Sequence, residues 1–86
     1  MSNLLNQIFE AYPDDTFLKA DGWDEAIVGL EENTMRLVYS KDAIIDMLVL
    51  DNEMDYDEAH EFFDYNIGGA YVGSQTPIFI TQFFEI

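Results

Sequence analysis

Two apolar runs on either side of a short polar turn commit this chain to a sheet. Ala26-Ile27-Val28-Gly29-Leu30 is too short to make a useful helix and suits a strand buried on both faces. Met35-Arg36-Leu37-Val38-Tyr39 alternates, with Met35, Leu37 and Tyr39 on one side. Between them Glu31-Glu32-Asn33 reads as a hairpin loop, and Gly29 marks a bulge or a close backbone approach. The predicted strands, 25–30 and 34–39, form an antiparallel pair.

Helical spacing takes over on both sides of the hairpin. Upstream, Leu4, Leu5, Ile8, Phe9 and Tyr12 repeat on one face of a helix that Ser2 can cap and Pro13 ends. Downstream, Ser40 is placed to cap a helix containing Ala43, Ile44, Ile45, Met47, Leu48, Val49 and Leu50. So apolar a helix belongs at the centre. Asp51-Asn52 closes it, Asn tolerating a left-handed cap.

The next stretch, Asp51 to Asp64, holds seven of the chain's 18 acidic residues in 14 positions and is still amphipathic. Asp55 and Glu58 have the spacing of a reciprocal capping box, so the helix begins near Tyr56. At about 100° per residue, Ala59, Phe62, Phe63 and Asn66 fall on an inner side, and Asp57, Glu61 and Asp64 form an opposite carboxylate ridge. Gly68 then suits a left-handed cap. A last strand, 77–83, starts at Pro77 and alternates Ile78, Ile80 and Gln82 against Phe79, Thr81 and Phe83. The expected fold is α+β, a small antiparallel sheet of three strands packed against about three helices, in the order α-β-β-α-α-β. Residues 1–86 make one small acidic domain, with length for a single core.

Charge restricts the partners. Two lysines and one arginine against 18 acids give −15, beyond the magnitude of about 2 to 8 usual for a soluble small domain. Lys19, Arg36 and Lys41 all precede residue 42, so the ten acids from Asp42 onward meet no Lys or Arg in their own half. Direct binding to nucleic acid or to an anionic membrane is disfavoured, which leaves basic proteins, divalent cations or no particular partner. No cysteine supplies a disulfide or thiolate site, and no apolar run approaches the roughly 20 residues that span a bilayer. The N-terminus lacks the pattern of a signal peptide, which makes the cytoplasm the default compartment.

Several residues invite a chemical reading that their surroundings do not support. Asp51, Glu53, Asp55 and Asp57 alternate like the start of a calcium loop, but Tyr56 and Phe62 stand where the loop needs Gly and a bidentate Glu. Gly68-Gly69-Ala70-Tyr71-Val72-Gly73 lacks the Lys-Ser/Thr ending of a phosphate loop and follows a helix instead of preceding one. His60 has no nucleophile or second base in a recognisable arrangement. The expectation is no catalytic constellation, no cofactor and no metal site.

The segments GWDEAIVGL (Gly22 to Leu30), MRLVYS (Met35 to Ser40) and YDEAHEFFDYNIGGAYVGSQTPIF (Tyr56 to Phe79) together resemble a widespread group of short proteins found mainly in bacteriophage genomes. The shared pattern, Tyr-Asn, then Gly-Ala-Tyr-Val-Gly, then Thr-Pro-x-Phe, is densest from Tyr65 to Phe79. The resemblance implies a setting, the cytoplasm of an infected bacterium, and carries over no catalytic residue.

Two surfaces follow as candidates. The first is the ridge of Asp57, Glu61 and Asp64 with Asp55 and Glu58. Its i,i+3/i+4 spacing of roughly 5–6 Å is on the scale of DNA phosphates, spaced about 3.4 Å per strand along the axis. Such a face suits a basic protein, in particular a host nucleic-acid-binding or defence protein that it would inhibit as a DNA mimic. The second is an aromatic interface of Tyr65, Tyr71, Phe83 and Phe84, which would make the chain an assembly module, a homodimer in the simplest case, with acidity serving solubility.

Overall fold

A computed structural model describes residues 3–20, 22–69 and 73–83. Its elements are α1 (Asn3–Ala11), β1 (Ile27–Glu31), β2 (Arg36–Ser40), α2 (Lys41–Asp51), α3 (Tyr56–Phe63) and β3 (Ile78–Ile80). A 3₁₀ turn at Asp24–Ala26 leads into β1, and a wide π turn at Asp64–Gly68 extends α3. The class is α+β and the element order is α-β-β-α-α-β, as the periodicities predict.

The strand order is β1-β2-β3. β1 and β2 pair antiparallel, and the register slips between Ile27 and Gly29, so the bulge expected at Gly29 lies one residue before it, at Val28. The expectation of a wholly antiparallel sheet is corrected: β3 runs parallel to β2, pairing Val38 with Ile78, Tyr39 with Phe79 and Ser40 with Ile80. The reason is the connection. α2 and α3 carry the chain across before it returns, which is the length a parallel crossover requires.

β3 is also shorter than the expected 77–83. Ser40 is both the last residue of β2 and the N-cap of α2, its hydroxyl accepting from the Ala43 amide at 3.1 Å. Beyond Ile80 there is no neighbouring strand left to pair with. The Gln82 amide donates instead to Asp42 Oδ2 at 3.0 Å. At the other end Pro77 has no N–H to give, and Arg36 Nε donates to the Thr76 carbonyl at 2.6 Å, tying β2 to the approach of β3.

The core draws on every layer. Leu5 and Ile8 of α1, Ile27, Leu37 and Tyr39 of the sheet, Ile44, Ile45 and Leu48 of α2, and Ala59 and Phe63 of α3 are buried together. Tyr39 is fully covered, with its ring 5.6 Å from that of Phe79 and its hydroxyl accepting from the Ala20 amide at 2.8 Å. Leu4 and Phe9, on the apolar face expected for α1, lie on the rim, and Phe9 stacks on Phe17 at 6.0 Å. Met35 is outside β2, in the turn, with φ 57°.

The hairpin turn is held by Glu31. Its Oε2 accepts from the Asn33 amide at 2.9 Å, and its Oε1 from the Thr34 amide at 2.9 Å and from the Thr34 hydroxyl. These bonds, the hydroxyl's first, hold the Glu31 carboxyl below its usual pKa. Tyr12, after α1, donates its hydroxyl to Glu32 of the same turn, and that bond raises its pKa.

Candidate functional site

α3 starts where its sequence says it should. Asp55 Oδ1 accepts from the Glu58 amide at 2.8 Å, and Glu58 Oε1 accepts from the Asp55 amide at 3.2 Å, a complete capping box. Two orphan amides are satisfied and both carboxylates sit where the helix dipole favours them. The left-handed residue before it is Glu53, φ 57°, while Asn52 caps α2 at φ −110°. This corrects the assignment of the left-handed cap to Asn52.

The helix is rotated from its expected setting. Ala59 and Phe63 are buried and Ile67 packs behind them, a stripe spaced four and four. Phe62 and Asn66, expected on the inner side, are exposed. Asn66 turns back to donate from Nδ2 to the Phe62 carbonyl at 3.1 Å. Gly68 explains the rotation. A Cβ there would lie 2.5 Å from Cε1 of Phe63, so the absence of a side chain lets the π turn close over the buried ring. Close approach, not a left-handed φ, is why glycine stands at 68; positive φ among the described glycines occurs at Gly22 and Gly73.

As a result, Tyr65 of the expected aromatic surface stands beside Glu58 and Glu61 of the expected ridge. Met54, Glu58, Glu61, Phe62, Tyr65 and Asn66 line one open hollow of about 530 Å³. Tyr65 is 87% exposed. Asp57 and Glu61 are exposed, and their carboxylates make no hydrogen bond or ion pair among the described residues. Asp55 and Glu58 are engaged in the cap. His60 is half-buried and meets Tyr56 edge-on at 5.1 Å.

Asp64 differs from the rest of the ridge. Its Oδ1 lies 3.7 Å from Nζ of Lys41, and the same ammonium sits 5.2 Å from the centroid of the Phe63 ring. The first residue of α2 thus supplies a cation to the acidic half. Of the expected aromatic interface, Phe83 is 84% exposed beyond β3. Tyr71 and Phe84 lie outside the described residues.

Exposed carboxylates are not confined to α3: Glu10, Asp14, Asp15, Glu32, Asp46 and Asp51 are exposed as well. On the α3 face, aromatic surface from Phe62 and Tyr65 is set among the acids. Among the described residues no three His, Asp or Glu side chains converge as a metal site, and no helix is long and apolar enough to cross a membrane. Compared with family models, curated proteins and solved structures, the chain matches none of them.

Proposed function

We propose that this chain is an interaction protein that binds a basic protein through the outward face of α3. The observation that carries the reading is the hollow in which Glu58 and Glu61 stand beside Phe62 and Tyr65. An arginine entering it would meet carboxylates for its guanidinium and an aromatic face for stacking, two attractions that a purely acidic surface does not combine. The −15 charge adds long-range steering toward a basic partner. With the resemblance to phage proteins, the finer reading is a host nucleic-acid-binding or defence protein whose basic groove this face occupies in place of DNA.

The test is capture from bacterial lysate by the wild-type chain and by an Asp57→Lys/Glu61→Lys variant, at low and high salt, with melting temperatures measured in parallel. Binding that is lost in the folded variant and weakened by salt supports the reading. Equal capture by both refutes it. A second reading, self-association through exposed rings, is favoured by Tyr65 and Phe83, each more than four-fifths exposed. Sedimentation equilibrium decides it: a dimer that strengthens with salt, as screening relieves the repulsion between two acidic copies, is expected only on this second reading.

A further inference from the structure

A second concavity lies on another part of the molecule, between the end of α3 and β3, and it concentrates positive charge. Arg36 and Lys41, two of the chain's three Lys and Arg residues, both line this open groove of about 540 Å³, with Phe63, Pro77, Ile78 and Phe79 as its apolar wall. Lys41 is paired with Asp64 at 3.7 Å, whereas Arg36 has no ion pair among the described residues. Glu31 is the cross-strand partner of Arg36 in register, and after the turn's hydrogen bonds the Arg36 charge helps to lower its carboxyl pKa, but both of its oxygens take their hydrogen bonds from the hairpin turn. The Arg36 guanidinium uses Nε on the Thr76 carbonyl. Among the described residues its two terminal nitrogens make no other hydrogen bond or ion pair, in a chain with 18 acids.

We infer that this groove is a binding site for a small monocarboxylate with an apolar or aromatic body, held by Arg36 and Lys41. The planar terminal edge of a guanidinium matches a carboxylate in two parallel hydrogen bonds. Half-buried Phe79 gives the body of the ligand an aromatic wall, backed edge to face at 5.2 Å by the buried Phe63 ring. The volume is within the range of about 300 to 1,000 Å³ found for small-molecule sites. Multiply charged anions are selected against, because the molecule is strongly negative and Asp64 shares the groove with Lys41. Asp64 is therefore a built-in competitor, holding the ammonium that the ligand would use.

The experiment is an amide chemical-shift titration of the full chain with benzoate, with benzamide as the neutral isostere and with inorganic phosphate, all at matched low ionic strength. Benzoate is expected to move the Ile78, Phe79 and Thr81 signals saturably, with Kd on the order of 1 mM as for a fragment-sized ligand. Benzamide and phosphate are expected to bind at least tenfold more weakly. Arg36→Gln should abolish the response. Because that change also removes the bond to Thr76, two variants outside the strand carry the decision. Lys41→Gln should weaken benzoate several-fold, and Asp64→Asn should strengthen it several-fold by freeing the ammonium. No saturable response, equal response to benzoate and benzamide, phosphate binding as tightly as benzoate, or an Asp64→Asn variant that binds no tighter would each overturn the site.

Discussion

Truncating Phe63 and truncating its neighbour Phe62 are expected to have very different costs, although the sequence alone placed both rings in the core. Phe63 is 3% exposed, whereas Phe62 is 37% exposed. Phe63→Ala removes a buried ring together with its edge-to-face contact to Phe79 and its contact with the Lys41 ammonium. Large-to-small changes of this kind cost about 3–5 kcal/mol. A domain of this size has a total stability of roughly 4–13 kcal/mol, from about 0.05–0.15 kcal/mol per residue. One substitution thus removes a large share of the whole. Phe62→Ala vacates a rim position and is expected to cost below about 1.5 kcal/mol, from partial loss of the roughly 1.5–3 kcal/mol for full burial of such a side chain. The assay is urea unfolding of both variants and the wild type, read by circular dichroism and by tryptophan fluorescence. The midpoint should fall sharply for Phe63→Ala and little for Phe62→Ala, with similar slopes. Equal losses, or a larger loss at Phe62, would show that α3 is not rotated as described.

Gly68→Ala is expected to destabilise by about 1–3 kcal/mol, as for an overpacked core, and to become nearly harmless in a Phe63→Ala background; a double-mutant cycle with no coupling would contradict the close approach of Gly68 to the ring. Asp55→Ala should cost about 1 kcal/mol through loss of the α3 cap, measured by the same unfolding assay. Because the folded structure holds the Glu31 carboxyl below its usual pKa, its contribution is present above the unfolded value and is lost as pH falls through the folded one. The melting-temperature gap between wild type and Glu31→Gln should accordingly be widest near neutral pH and close as the solution becomes more acidic; a gap that widens on acidification would reverse the assigned sign. With −15 charges on one domain, melting temperature should rise with added NaCl, and a flat response would mean that the acids are too far apart to repel.

The sequence made local pairings legible and left relations between elements obscure. Alternation at Leu37 and Tyr39, the four-residue spacings of α2 and the Asp55/Glu58 cap each lie within a few positions of chain, so periodicity is enough to read them. The direction of β3 depends on a crossover spanning α2 and α3, and its length depends on where β2 gives way to α2; neither is encoded within 77–83. The buried face of α3 is not legible locally, because Phe62 and Phe63 are equally apolar and a turn of about 100° per residue cannot choose between them. A usable signal was present in Ala59, Phe63 and Ile67, whose spacing of four picks the buried stripe once Ile67 is counted with the helix. Lys41 reaching Asp64, and Arg36 reaching the chain before β3, bring cations from the first half to the second across separations that no motif records.

The outward face of α3 is the centre of the functional account, and a titration with a short Arg-Gly repeat peptide, followed by amide chemical shifts, tests it most directly. Shifts confined to Glu58, Glu61, Phe62, Tyr65 and Asn66, reduced by Tyr65→Ala and abolished by Asp57→Lys/Glu61→Lys in a chain that still melts cooperatively, are the predicted result. Shifts of similar size at Asp14, Asp15, Asp46 and Asp51, unchanged in those variants, would mean that the peptide responds only to overall charge, and would contradict a dedicated binding face on α3.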